Sequence, residues 1–362
     1  MAETKADPAD PVTFACGATM KNRFMLAPMT NRQSHEDGRL SEDELNWLAM
    51  RAEGGFGLTM TCASHVQANG KGFPGQLGIY SDDLLDGHRR LAAAIQGHGS
   101  LAVLQLHHAG MRSPHDLIDG APVCPSADDE TGSRALTIDE VHELRDDFIS
   151  AALRCKRAGY DGVEVHGAHG YILCQFLSTE TNRRGDDYGG SLENRARLIH
   201  DILVGIREQC GPEFLLGLRL SPESAGIDLV ECMAVAQGFI DSGLLDLLDL
   251  SLWDSFKAPA EERYAHQSLL AYVSALDKKS VRLTVAGKIG TAREVQTILD
   301  AGIDLVAIGR GGILHHDFPG RVIADPDFEP TALPVSAAYL RKEGLGEAFV
   351  TYMRRWEGFV AE

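Results

Sequence analysis

The stretch TIDEVHELRDDFISAALRCKRAGYDGVEVHG, residues 137–167, holds one helix followed by one strand, and its reading decides the fold. Thr137 with Glu140 three positions on is a capping-box start, and Gly159 supplies the stop of the helix between them. GVEVHG (162–167) then has the length and valine content of a buried strand. The alternation continues in both directions. Strand candidates are RFMLAPM (23–29), GLTMTC (57–62), LAVLQL (101–106), GVEVHG, FLLGLRL (214–220), LLDLLDLS (244–251), VRLTVAG (281–287) and DLVAIGR (304–310). Helix-period stretches lie between them, among them SEDELNWLAMRAE (41–53), where Ser41 and Glu44 fit a second capping box. About eight βα units in roughly 250 to 400 residues predict an α/β fold of the (β/α)8 TIM-barrel type; a doubly wound sheet would require a switch in strand order. Segments 64–82 and 110–136, rich in Gly, Pro and Ser, read as long βα loops. Without linker composition or repeats, residues 1–362 read as one barrel domain, with a polar leader at 1–20 and a C-terminal tail at 340–362.

Composition narrows the function. The 362 residues are 44% hydrophobic, enough for a sizeable core, and 52 acidic against 34 basic residues give a formal charge of −18. Such a surface repels phosphate backbones and anionic membranes, so neither nucleic acid nor membrane is an expected partner. The start, MAETKADPADP, lacks a basic n-region and an apolar h-region, and no later stretch approaches the roughly 20 apolar residues of a membrane span. A soluble cytoplasmic protein is expected. Seven cysteines without CxxC spacing argue against a zinc site, an iron–sulfur cluster or a disulfide framework.

Polar residues gather where the candidate strands end: Thr30, Ala63, Gln105 with His107 and His108, His166 with His169, Arg219, Gly287, and Gly309 with Arg310. In a barrel these positions converge on one mouth. Glycines after the last two strands let backbone N–H groups approach a phosphate, and Arg310 adds positive field. Within residues 163–197, two imidazoles three apart and a phenol two further on, Tyr171, present N–H and O–H groups to one side of a pocket. His-x-x-His also ligates zinc, but no third ligand stands at a helpful spacing, so no metal is expected.

The run HGAHGYILCQFL, with NRR, DDYGGSLENRAR and KNRFMLAPMT (21–30), resembles the signature of the Old Yellow Enzyme family, and the likeness extends from about Pro11 to Trp356. The resemblance implies a non-covalent FMN at the barrel mouth and NAD(P)H as reductant. By the same likeness Ala27, Pro28, Met29 and Thr30 border the flavin, Ala63 and Gln105 contact its pyrimidine side, and Arg219 sits near N1 and O2. Gly287, Gly309 and Arg310 match the phosphate site. His166, beside the flavin, and His169 match the pair that grips a substrate carbonyl, and Tyr171 matches the proton donor to the α carbon. The implied activity is reduction of the C=C bond of α,β-unsaturated carbonyl or nitro compounds.

Three positions depart from the pattern or extend it. Asn31-Arg32 replaces a substrate-side tyrosine of some bacterial members, and His107 stands where yeast-like members carry Trp, so Arg32 and His107 are read as substrate walls. Tyr352-Met353-Arg354-Arg355-Trp356 is similar to a tail that sends an arginine into a neighbouring active site, which makes Arg354 a candidate and a homo-oligomer its corollary. Alternatives are an oxidative demethylase or dienoyl reductase relative, whose larger members add a cysteine cluster and a second nucleotide domain. From other classes come a metal-dependent hydrolase or lyase using His107, His108, His166 and His169, and a flavin-free phosphate-binding module.

Overall fold

A computed structural model of the protein describes residues 6–223 and 225–361. All eight strand candidates form strands: β1 (Phe24–Leu26), β2 (Leu58–His65), β3 (Leu101–His107), β4 (Gly162–Gly167), β5 (Leu215–Leu220), β6 (Leu247–Ser251), β7 (Arg282–Ala286) and β8 (Leu305–Ile308). They pair in parallel and close into a barrel, β8 meeting β1 through Ala307 and Met25. Buried on both faces, the strands read as near-continuous apolar runs because helices cover the outside. β2 continues past the expected residue 62 with a register shift between Met60 and Ala63, which sets Ala63 opposite Gln105.

Helix boundaries follow their local chemistry. The helix Ile138–Ala158 carries both halves of its capping box, Thr137 to Glu140 and back, and ends at Gly159 with φ 90°. At Glu42–Glu53 only half of the expected box forms. Ser41 accepts from the Glu44 amide, but the Glu44 side chain is buried and bound to Asn31 and Ser34. A fully enclosed carboxylate seeks the nearest donors, and these lie in the loop after β1 rather than at the cap.

The barrel interior is layered. Its lower part is apolar, built from Met25, Leu58, Met60, Val103, Leu215, Leu247 and Leu305. A hairpin of Val12–Thr13 and Thr19–Met20 closes that end, burying Val12, Phe14 and Met20 against it, at about 1.5–3 kcal/mol for each side chain. The expected leader is therefore, from Val12 on, a plug. The upper interior is polar: Gln105, Glu164, Arg219, Asp249 and Thr284 come from five adjacent strands, β3 to β7. At the other extreme of the chain, Val335 and Val360 pair, so residues 335–361 form a closed strap, held by Val335 N–H to Phe359 O at 3.0 Å and Ala361 N–H to Val335 O at 2.7 Å. No helix among the described residues is long and apolar enough to cross a membrane.

Candidate active site

A cavity of about 1050 Å³ opens at the C-terminal ends of the strands. The loop after β1 contributes Ala27, Pro28, Met29 and Thr30; Ala63 and Gln105 come from β2 and β3; His166, His169 and Tyr171 follow from β4, and Arg219 from β5. Gly287, Gly309 and Arg310 complete the far end. Thirteen of the residues picked out in the sequence thus share one wall system.

Gly287 has φ 156° and its missing Cβ would fall 2.9 Å from the amide nitrogen of Asp254, so no other residue fits without moving backbone. Gly309 leaves open space where a Cβ would stand, with only the Met29 sulfur within 4 Å, at 3.6 Å. Arg310 begins a short helix, Arg310–Leu314, and is exposed with no ion-pair partner among the described residues, whereas neighbouring Lys288 is tied to Asp254 at 2.9 Å. The arrangement is an anion cradle with one uncommitted guanidinium.

At the other end, Gln105 donates through Nε2 to Glu164 Oε1 at 2.7 Å, which leaves its carbonyl oxygen to the cavity. Arg219 Nε approaches Asp249 Oδ2 at 3.0 Å, yet its N–H is not aimed at the carboxylate and finds no hydrogen-bond acceptor among the described residues. An orphaned buried guanidinium N–H is costly unless a ligand oxygen or nitrogen completes it.

His166, His169 and Tyr171 converge between these ends. The ring centres of His166 and His169 are 5.1 Å apart, and His166 and Tyr171 5.4 Å. His169 adopts φ 60°, a left-handed conformation that costs a non-glycine residue about 1 kcal/mol or more. Its Nδ1 lies 3.3 Å from His166 Nε2, and its Nε2 is 2.8 Å from Ser251 Oγ. Burial, then Arg219 and Arg112, depress His169 to about 3; burial and the neighbouring imidazoles hold His166 well below its ordinary value. Both are neutral at pH 7 and offer N–H groups, not charge. Burial raises Tyr171, and Arg112, stacked over its ring at 4.7 Å, opposes that rise.

Three expected residues do not line the cavity. His107 is fully enclosed: its Nδ1 meets Gln76 Nε2 at 3.1 Å, while its ring packs 4.4 Å from Tyr171 and 5.6 Å from His166, behind the wall rather than in it. Arg32, turned by φ 59°, lies over the Tyr352 ring at 5.0 Å. Arg354 is exposed because Phe349, Tyr352, Met353 and Trp356, at helical spacing, are the residues that face the cavity. Sequence reading missed Arg112, Ser251, Trp253 and those four. The 349–356 spacing was a readable signal; Arg112 sits in a loop with none. Among the described residues no three His, Cys, Asp or Glu side chains group as metal ligands.

The anion cradle, the orphaned Arg219 N–H and the free Gln105 carbonyl suit the phosphate and the pyrimidine edge of FMN. Fold and site define an FMN-dependent barrel oxidoreductase. The profile of the NADH:flavin oxidoreductase / NADH oxidase family matches residues 10–326, and the chain belongs to that family, the one that includes Old Yellow Enzymes. A probable NADH-dependent flavin oxidoreductase of Bacillus subtilis is 36% identical over 312 residues, 83% of each chain. An NADH:acrylate oxidoreductase of Vibrio harveyi is 30% identical over 87% of this chain, which spans 33% of that longer protein. The structure of an old yellow enzyme homologue from Zymomonas mobilis is similar with a TM-score of 0.80 at 27% identity, covering 96% of this chain and 99% of that one. The protein is an FMN-dependent NAD(P)H oxidoreductase.

Proposed function

We propose that the protein reduces the C=C bond of α,β-unsaturated carbonyl or nitro compounds, with His166 and His169 holding the activating oxygen and Tyr171 delivering the proton. FMN, when bound, supplies hydride transfer from NAD(P)H to the substrate's β carbon. The observation that carries the reading is the convergence of two neutral imidazoles and one phenol on a cavity wall between the Arg219 end and the Arg310 end.

Neutral imidazole N–H groups donate to an oxygen whose charge grows as the enolate forms, so their contacts strengthen as the reaction proceeds. The two nitrogens that face each other at 3.3 Å cannot both carry protons while in contact. An incoming substrate oxygen separates their roles and accepts what the pair had exchanged. A phenol, with an ordinary pKa about 10, is acid enough for a strongly basic enolate carbon, and the guanidinium of Arg112 over the ring steadies the phenolate left behind.

The Vibrio relative's acrylate carries such an activated alkene, which supports the substrate class. Seven free cysteines, six of them buried, give no support to the larger relatives with a cysteine cluster. A homo-oligomer belongs to the same proposal, since Arg354 faces outward from its own mouth.

The purified protein should be yellow, releasing FMN on denaturation. Tyr171→Phe is expected to slow alkene reduction by roughly 10²–10⁴-fold and to leave flavin reduction by NAD(P)H unchanged, read by stopped-flow absorbance. Equal slowing of both half-reactions removes the proton-donor role. A turnover screen over enones, maleimides and nitroalkenes names the class.

A further inference from the structure

Beneath the mouth lies a cluster of buried polar side chains that the proposed chemistry does not use. Glu164 and Asp249 are fully buried there, Arg219 nearly so, with Thr284 on the next strand. Glu164 Oε2, both Asp249 carboxylate oxygens, Arg219 Nε and Thr284 Oγ1 lack a hydrogen bond among the described residues. Two carboxylates thus face one guanidinium, with no further cation beside them among the described residues. If both were ionised, the cluster would hold a net negative charge out of water, a state that burial strongly disfavours. One proton restores neutrality.

We propose that Glu164 and Asp249 hold a single proton between them beneath Arg219, and that reduction of the flavin tightens the pair's hold on it. The inference rests on the reading that Arg219 faces the N1–O2 edge of FMN. Geometry assigns the proton. Asp249 Oδ2 touches Arg219 at 3.0 Å and keeps the negative charge, whereas Glu164 is bound only by the Gln105 amide. Glu164 faces Gln105 from β3, Arg219 from β5 and Asp249 from β6; His166, two residues along its own strand, is neutral. Burial, reinforced by Asp249 and opposed by Arg219 and the Gln105 bond, pushes Glu164 up to about 8.

The coupling has a definite sign. Hydride from NAD(P)H would leave bound FMN with one added negative charge, and with Arg219 beside the flavin that charge would raise the proton affinity of the carboxylate pair. Below about pH 8 the Glu164 proton is already in place. Above it Glu164 is ionised before reduction, so each two-electron reduction takes up one further proton from solvent to the carboxylate pair. The midpoint potential therefore falls more steeply with pH above about 8 than below it.

The test is spectroelectrochemical titration of the FMN-loaded protein from pH 6 to pH 10, beside ¹³C NMR of the wild-type protein labelled at glutamate Cδ. Glu164→Gln keeps the acceptor for Gln105, so its potential at pH 7 should stay close to wild type while the steepening disappears. Asp249→Asn removes the like charge and leaves Arg219 to pull, so the break should move to lower pH. In wild type one glutamate carbon whose signal is missing from Glu164→Gln should titrate near pH 8, which separates it from the equally buried Glu44. If every glutamate titrates in the ordinary acidic range, the shared proton is refuted, whether or not the variants fold. If one titrates near pH 8 but the potential shows no break, the link to the flavin is refuted. Arg219→Lys then tests the placement of the arginine separately, through FMN affinity.

Discussion

Along β4 and β6 the chain places carboxylates three residues apart, Asp161 with Glu164 and Asp246 with Asp249, one at the barrel floor and one just below the mouth. The floor member is always satisfied. Asp161 accepts from the amide of Ala102 at 2.7 Å and from Gln96; Asp246 accepts from the amides of Leu216 and Cys16 and from Arg207. Asp304, immediately before β8, repeats the device on the amide of Leu283. Each of these aspartates precedes an even-numbered strand and braces the second residue of the odd-numbered strand beside it. The upper members, Glu164 and Asp249, keep three oxygens without hydrogen bonds among the described residues. Carboxylates three residues apart are thus saturated where they hold the fold and left short of partners just beneath the mouth.

That contrast is open to attack at both ends. Asp246→Ala should cost the most, about 2–4 kcal/mol of unfolding free energy in a denaturant titration, because two backbone amides and Arg207 lose their acceptor. The FMN content of the protein that remains folded should not change; a loss of FMN ahead of the fold would erase the distinction between floor and mouth.

Acid probes the loops around the mouth. His88, buried between Gly78 O and the Tyr160 hydroxyl, is held down to about 4 by desolvation, and His65 to about 4 and His108 to about 3 for the same cause. A folded pKa below the unfolded value of about 6.5 means that the unfolded chain takes the proton first. Stability is complete above that value and is lost as pH falls toward 4. For His88 the loss is about 2 kcal/mol by pH 5. Hydrogen exchange should show the 66–82 loop, which His88 pins at Gly78, opening before the strand amides. Simultaneous opening would mean that loop and barrel form one cooperative unit.

Ser251→Ala should have the smallest effect, within about 1 kcal/mol of wild-type stability. It unties His169 Nε2 from a hydroxyl that also lies 3.5 Å from Arg219 Nη2. Weaker binding of the alkene by several-fold, with unchanged flavin reduction, is the expected pattern in steady-state and stopped-flow rates; a change in flavin reduction alone would reassign Ser251 to the cofactor.

Period and punctuation made the barrel legible. Eight short apolar runs and caps such as Thr137 and Gly159 are local signals, and the barrel needs nothing more to be recognised. The site was legible where strand ends force residues together, as with Gln105, His166 and Arg219. Reading by adjacency failed at Arg32 and His107. His107 shares a strand face with Gln105, but the loop bearing Gln76 closes over it. Arg32 is redirected by a left-handed backbone that no pattern announces, and Arg354 lies on the far side of a helix whose inward face was already spelled by Phe349, Tyr352, Met353 and Trp356. Tertiary placement, not local preference, decided the first two, while the outward Arg354 is where a residue meant for a neighbouring subunit would stand.

The strap from Val335 to Ala361 carries part of the cavity wall on a segment whose two ends meet by a pair of backbone hydrogen bonds. A wall built this way is a cassette. It adds no strand to the barrel, and although Phe349 is anchored on Trp47, variation at Tyr352 and Trp356 can change which molecules enter while the redox machinery below is inherited intact.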